Sequence, residues 1–178
     1  MFEGNLVRLR SLELTDLDPM MEHWNDLDFR QFCGRATPDS REDREEFIRN
    51  SWKLRQEGKI YIFAIEEKNT KKFLGQTNLN VINKIARSAD LGIFIFNKEE
   101  WNKGFGSDAM KILLKFGFDN LNLHRIELSV YPYNERAIHV YKKIGFTIYG
   151  RKRHSRFMNG QFQDEILMDI LEDEWRKK

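Results

Sequence analysis

The spacing of apolar residues divides the N-terminal third of the chain into one strand and two helices. Residues 6–10 alternate apolar and basic side chains, which is typical of a strand. Apolar residues then recur at helical spacing over residues 17–24. A second helix is expected after Ser40, which forms a capping-box pattern with Asp43. Residues 29–39, between the two helices, are expected to form a loop.

The rest of the chain is rich in strand patterns. Six further strands are predicted, at residues 60–65, 73–82, 87–96, 125–131, 146–153 and 164–171. Short polar turns connect the first three, so we expect an antiparallel meander. An Asn159-Gly160 turn joins the last two into a hairpin. One helix is expected to end near residue 119, and another to begin after Asn134, which can cap it.

Length and composition indicate a single domain over residues 1–178 with its own core. The 30 basic residues nearly balance the 28 acidic ones, which argues against a general nucleic-acid binder. A single cysteine excludes an internal disulfide framework. No apolar run approaches a membrane span and no signal pattern opens the chain, so we expect no membrane partner and a cytoplasmic protein. His124 lacks partners at metal-ligand spacing, and we expect no metal.

A glycine-rich segment between a strand and a helix is the first candidate for chemistry. The strand Leu91-Gly92-Ile93-Phe94-Ile95-Phe96 precedes Trp101-Asn102-Lys103-Gly104-Phe105-Gly106-Ser107-Asp108-Ala109. The helix N-terminus that follows offers unpaired N–H groups and a positive dipole end, which bind phosphate. The segment lacks the third glycine of a dinucleotide fingerprint and the Gly-Lys-Ser/Thr ending of a P-loop. An ordinary helix entry therefore fits the segment about equally well.

A second segment follows the strand at residues 125–131 and reads Asn134-Glu135-Arg136-Ala137-Ile138-His139-Val140-Tyr141-Lys142-Lys143-Ile144-Gly145-Phe146. Together, the two segments resemble the GNAT superfamily of acyl-CoA N-acyltransferases. The resemblance is strongest to its RimJ/RimL-like and spermidine-acetyltransferase-like branches. It implies an α+β, three-layer fold with a central, mostly antiparallel twisted sheet of six or seven strands and helices on both faces.

The resemblance also implies where acetyl-CoA, the co-substrate, binds. The strand at residues 87–96 is expected to carry a bulge and to splay from its neighbour, and the gap receives the pantetheine arm. The residues then expected to contact CoA are Phe94, Ile95, Phe96, Trp101, Asn102, Lys103, Gly104, Phe105, Gly106, Ser107, Asn134, Ala137, Tyr141 and Lys143. Trp101 is a departure, because the loop often starts with Gln or Arg in this family.

Three residues are the implied catalytic set. Tyr141 is the expected proton donor to the departing thiolate, although a packed aromatic on a helix face is the plain interpretation of it. Asn134 is expected to contact CoA or the incoming amine. Asp90 is a carboxylate that helps to remove the amine proton, or else an ordinary strand-end residue in solvent. Glu127 is a second candidate for proton transfer.

The function expected from these residues is transfer of an acetyl group from acetyl-CoA to a primary amine by direct attack. The acceptor would be a protein N-terminus or a small amine such as a polyamine, and a homodimer is a further expectation from the family. Two other classes compete with this interpretation. The chain could be a non-catalytic acyl-CoA-binding sensor, or a nucleic-acid-binding module that uses the basic run from Arg151 to Arg156.

Overall fold

A seven-stranded sheet runs through the centre of the computed structural model, which describes residues 2–34 and 37–177. The strands lie side by side in the order β1-β2-β3-β4-β5-β7-β6. Their bounds are β1 Val7–Ser11, β2 Ile60–Glu67, β3 Phe73–Asn83, β4 Ser88–Ile95, β5 Arg125–Val130, β6 Thr147–Met158 and β7 Gln161–Leu171. Neighbouring strands are antiparallel except β4 and β5, which are parallel.

The parallel pair opens into a gap. Pairing of β4 with β5 stops at Asp90 opposite Glu127, whereas β4 continues to Ile95 along β3. The expected splay is therefore present. The expected bulge in β4 is wrong, because β4 stays in register with β3 throughout, from Ala89 to Ile95. The register shift between these two strands falls at Ile82 of β3. β4 and β5 can separate without a bulge in β4, because β4 loses only its pairing with β5 and keeps its pairing with β3.

Helices cover both faces of the sheet and make three layers. They are α1 Leu17–Trp24, α2 Leu27–Arg30, α3 Arg41–Gln56, α4 Phe105–Asp119, α5 Glu135–Ile144 and α6 Glu172–Arg176. One core joins α4 and α5 to one face, with Leu113 and Ile126 fully buried. The other core joins α1, α2 and α3 to the opposite face around Met20 and Ile48. The three-layer α+β arrangement predicted from the sequence is confirmed.

Several boundaries differ from the sequence prediction: β2 continues to Glu67 instead of ending at residue 65, and β7 begins at Gln161 instead of residue 164. The expected loop at residues 29–39 begins inside α2, because the buried Phe29 and Arg30 complete a helical turn; residues 35 and 36 of that loop lie outside the described part of the chain. Strand β6 extends to Met158 instead of ending at Arg153, since it pairs with β7 up to the hairpin turn. Within the described residues, no helix is long and apolar enough to cross a membrane.

Asp108 ties the N-terminal segment to the first turn of α4. One oxygen of its carboxylate accepts the N–H groups of Leu6 at 2.7 Å and of Val7 at 3.0 Å. The same residue donates its own N–H to the carbonyl of Gly104 at 3.0 Å. The start of β1 is thereby fixed against the glycine-rich turn, 102 residues away in sequence.

Candidate active site

The gap between β4 and β5 continues into a cavity of about 630 Å³ that the N-terminus of α4 and one face of α5 enclose. This volume lies within the range of about 300–1,000 Å³ that is usual for small-molecule sites. Most of the predicted site residues line it: Asp90, Phe94, Ile95, Trp101, Asn102, Gly104, Phe105, Gly106, Ser107, Asn134, Ala137, Tyr141 and Lys143. The structure therefore brings together residues that are up to 53 positions apart in the sequence. Phe96 and Lys103 lie outside this lining.

The glycine-rich turn presents backbone donors to the cavity. Gly104 adopts φ +86°, a left-handed conformation that favours glycine, and α4 begins at the next residue. The first intrahelical bond of this turn is made by the N–H of Asp108. The N–H groups of Phe105, Gly106 and Ser107 consequently have no helical acceptor and point out of the helix end. Such a terminus suits the phosphates of a nucleotide.

Cationic side chains around this turn divide into two groups. Lys103 donates to Glu100 at 2.8 Å and does not line the cavity itself, although Glu100 does. Arg136, by contrast, lies in the cavity wall, with its guanidinium carbon 3.8 Å from the ring centroid of Trp101. Burial lowers the pKa of Arg136, although the group stays charged at neutral pH. Arg136 was not among the residues predicted from the sequence, where its only signal is its place two residues after Asn134.

The free edge of β4 offers alternate backbone groups to the gap. The N–H of Phe96 donates to the carbonyl of Leu74 at 3.1 Å, so even-numbered residues of β4 bond to β3. Ile93 and Ile95 therefore direct their backbone groups towards the cavity. The carbonyl of Ile95 accepts the indole N–H of Trp101 at 2.8 Å. Phe96 is a correction to the predicted site, because its N–H is already used and its ring is buried in the α1–α3 core.

Asn134 lies immediately before α5 and caps it, and Tyr141 lies on the face of α5 that lines the cavity. The side-chain oxygen of Asn134 accepts the N–H of Ala137 at 3.3 Å and caps the helix, as predicted. Tyr141 packs near Phe146, with ring centroids 6.0 Å apart. Burial raises the pKa of Tyr141 to about 12, partly offset by the nearby Arg136 charge. The hydroxyl is thus protonated at neutral pH and is available as a donor.

The end of the cavity away from the glycine-rich turn is acidic. Asp90 and Glu165 both line it, and Glu127 lies beside Asp90 on the neighbouring strand. Burial, followed by the charges of Glu127 and Glu165, raises the pKa of Asp90 to about 6, against a hydrogen bond from Asn80 that lowers it. Glu127 is paired with Arg125 at 3.0 Å, so the two carboxylates that line the cavity, Asp90 and Glu165, are the ones suited to a cationic ligand.

An aromatic wall closes the side of this acidic end. Tyr131 and Tyr133 stack with ring centroids 5.2 Å apart. Phe32 lies 6.0 Å from Tyr133 and 6.0 Å from Trp101, which connects the wall to the glycine-rich turn. The wall brings together three distant segments, which is why the sequence did not reveal it. Cys33 is half-buried in the same cavity.

The basic run at residues 151–156 is partly neutralised by the facing strand. Arg151 donates to Asp164 at 2.7 Å. Arg156 lies 3.7 Å from Glu165. These pairs remove part of the positive surface on which a nucleic-acid interface would depend.

Within residues 2–34 and 37–177, no three His, Cys, Asp or Glu side chains converge as a metal site would require.

Comparison with known proteins agrees with this geometry. Residues 7–147 match the family model described as "Acetyltransferase (GNAT) domain". The crystal structure of a spermidine N-acetyltransferase from Vibrio cholerae, in complex with CoA and spermine, superposes with a TM-score of 0.85 at 30% identity, covering 96% of this chain and 98% of that chain. The spermidine N(1)-acetyltransferase of Escherichia coli is 38% identical over 101 residues, which span 57% of this chain and 54% of that enzyme. A putative ribosomal N-acetyltransferase of Bacillus subtilis is 30% identical over 57% of this chain and 55% of its own length.

The chain therefore belongs to the GNAT acetyltransferase family, and it is an acyl-CoA-dependent N-acetyltransferase that uses acetyl-CoA as its co-substrate. The resemblance identified from residues 101–109 and 134–146 is confirmed.

Proposed function

We propose that this enzyme acetylates one amine of a polyamine-type acceptor. The observation that carries the proposal is the pair of cavity carboxylates, Asp90 and Glu165, at the opposite end from the phosphate-binding turn. A chain of ammonium groups complements such a surface, whereas a peptide N-terminus supplies a single cation. The spermidine acetyltransferases among the relatives support the same acceptor class.

Acetyl-CoA would bind with its phosphates at the N-terminus of α4. The N–H groups of Gly106 and Ser107 donate there, and Arg136 and Lys143 supply positive charge from α5. The acyl end would then reach the open edge of β4. Backbone N–H groups of Ile93 and Ile95 face this gap, and fixed donors of this kind stabilise the oxyanion of a tetrahedral intermediate.

Asp90 would receive the proton of the acceptor ammonium, directly or through water. A primary alkyl ammonium has a pKa near ~10 in water. Transfer to a carboxylate whose pKa is about 6 is then uphill by about 5 kcal/mol. The ordinary Asp pKa of 3.8 would make the step harder still, so the raised value lowers the cost of this transfer. Loss of water around the bound ammonium lowers its pKa and reduces the cost further.

The neutral amine would attack the thioester carbonyl carbon. A carbon–nitrogen bond forms, the carbon–sulfur bond breaks and its electron pair goes to sulfur. The attacking nitrogen loses its second proton, and the thiolate takes up one proton to leave as free CoA. With a pKa of about 12, Tyr141 is a weaker acid than a thiol near ~8.5, so complete transfer is uphill by about 5 kcal/mol. Tyr141 therefore acts first by donating a hydrogen bond to the developing thiolate, and the overall reaction releases one proton to solvent.

The test is acetyl-CoA-dependent thiol release with a panel of acceptors. The panel holds spermidine, an aminoglycoside, and peptides that begin with Ala or Ser, and a blank without acceptor corrects for Cys33. We expect release with spermidine. Release with the peptides alone would reject the polyamine proposal. Tight acetyl-CoA binding without release from any acceptor would favour the sensor.

A matched pair of variants locates the acceptor site. Glu165→Gln removes a carboxylate that lines the cavity, and it is expected to raise the KM for spermidine. Asp164→Asn removes the adjacent carboxylate, which faces away and pairs with Arg151 at 2.7 Å. We expect that second variant to keep the spermidine KM within about twofold, because an exposed pair of this kind contributes little. Equal effects of the two variants would contradict the assignment.

A further inference from the structure

Arg156 occupies the acidic end of the cavity, and its contacts there are long. Its Nε lies 3.7 Å from Glu165 Oε1, and its Nη1 donates to the carbonyl of Gly34 at 3.4 Å. The side chain is 53% exposed. The neighbouring Arg151, by comparison, donates to Asp164 at 2.7 Å. Arg156 is therefore a cation held loosely against a cavity carboxylate.

A β-bulge places Arg156 there. Lys152 pairs with Glu165 and Arg156 pairs with Gln163, so residues 153–155 face a single residue of β7. His154 takes φ +50° inside this bulge, and its N–H donates to Asp164. Bulges of this kind change the direction of a side chain relative to the strand.

Glu165 itself is held firmly. Its Oε2 accepts the hydroxyl of Ser155 at 2.7 Å, and its side chain is only 13% exposed. The carboxylate thus stays in place whether or not Arg156 remains beside it. A fixed anion with a loosely bound internal cation is a site that a second cation can take over.

We propose that Arg156 occupies the ammonium position beside Glu165 in the free enzyme, and that the second ammonium group of a multiply charged acceptor displaces it. This inference rests on the proposed function. A monoamine places its only amine at the thioester, near Asp90, and has no group with which to displace Arg156. Arg156 is therefore a specificity-determining residue: competition from its guanidinium weakens the preference for polyamines over monoamines.

Arg156→Gln tests the proposal through a ratio. The ratio is kcat/KM for spermidine over kcat/KM for n-butylamine, at saturating acetyl-CoA. Removing the internal cation is expected to raise it about 1.5- to 5-fold, the range for a partly exposed ion pair. Arg156→Lys keeps a cation and should leave the ratio close to that of the unmodified enzyme. Arg151→Gln is the matched control, because it removes the same side chain from the same strand outside the cavity, and it should leave the ratio unchanged.

If Arg156→Gln altered the ratio only by disturbing the local structure, the alteration would also occur when Glu165 is absent. If Arg156 competes for Glu165, the alteration requires Glu165. In a Glu165→Gln background, Arg156→Gln should therefore have no effect on the ratio. An unchanged or lower ratio in the single Arg156→Gln variant would overturn the proposal, as it would mean that Arg156 does not compete with the acceptor.

Calorimetric binding of spermidine to the CoA-saturated protein separates this inference from the proposed function. An enzyme that binds spermidine without acetylating it refutes the function, whereas tighter binding by Arg156→Gln would still support the competition. If neither the unmodified enzyme nor Arg156→Gln binds spermidine, the proposed function and the proposed competition are both overturned.

Discussion

Replacing Asp90 with Asn is expected to make the protein more stable and the enzyme much slower. The pKa of Asp90 is raised from 3.8 to about 6, first by burial and then by Glu127 and Glu165. A shift of this size corresponds to at most about 3 kcal/mol of destabilisation when the carboxylate is ionised. Because the side chain keeps some contact with water, we expect Asp90→Asn to recover about 1–2 kcal/mol. Asn can still accept the hydrogen bond of Asn80.

The sign of this effect depends on pH. Below the unfolded pKa, near 3.8, both states carry the proton and Asp90 imposes no penalty. As pH rises from 3.8 to about 6, the unfolded chain loses this proton before the folded protein does, and folded-state stability falls. Above that window the penalty is complete. The stabilisation by Asp90→Asn should therefore be present at pH 8 and largely absent at pH 4.

Urea unfolding at the two pH values measures the effect, and thiol release measures activity. At pH 8 a gain of 1–2 kcal/mol corresponds to a rise in Tm of about 2–8 °C for a chain of this size. Asp119→Asn is the control, because Lys115 and Arg176 lower the pKa of Asp119, so its removal should reduce stability. A loss of stability at pH 8 in Asp90→Asn would refute the reasoning, as would unchanged turnover where chemistry limits the rate.

Two further predictions concern the donor side of the cavity. Tyr141→Phe should lower kcat on the order of 10²-fold, as is typical of a lost general acid, without lowering the urea midpoint; full turnover under chemistry-limited conditions would reject the role. Gly106→Ala should fold well, because its Cβ would lie 3.9 Å from Ile93 and Ile95, yet should weaken acetyl-CoA binding about tenfold by obstructing the phosphate. Gly117→Ala is its control: the new Cβ would lie 2.7 Å from Ile126, so calorimetry should find lower stability with unchanged acetyl-CoA affinity.

The donor side was predictable because its residues are contiguous in sequence. The glycine-rich turn and the α5 segment each lie within about a dozen positions, so local rules for helix starts apply to them directly. Gly104 does take the left-handed conformation that such a turn needs, and Asn134 does cap α5. The antiparallel meander of β2, β3 and β4 and the hairpin of β6 and β7 also followed from alternation and turn residues, whereas the placement of β5 between β4 and β7 did not.

The acceptor side was not predictable in the same way. Arg156 is placed beside Glu165 by a bulge that shifts β6 against β7, and no local pattern at residues 152–156 signals that shift. Likewise, the aromatic wall needs Phe32 to lie beside Tyr133, about a hundred positions away. The loop predicted at residues 29–39 begins with a helical turn in the structure. Phe29 is buried against Phe94 and Phe96, and this packing outweighs the weak helix propensity of the segment.

The attachment of Leu6 and Val7 to Asp108 has a practical consequence for anyone who modifies this protein. The first strand holds the outside of the turn that is proposed to bind phosphate, and Leu6 lies 3.2 Å from the position that a Cβ on Gly104 would occupy. A bulky fusion close before residue 2 would pull on that turn, and its effect would register as weaker acetyl-CoA binding. An affinity tag is better attached after α6, because Arg176 of α6 donates to Asp119 at 3.2 Å, at the opposite end of α4 from the glycine-rich turn.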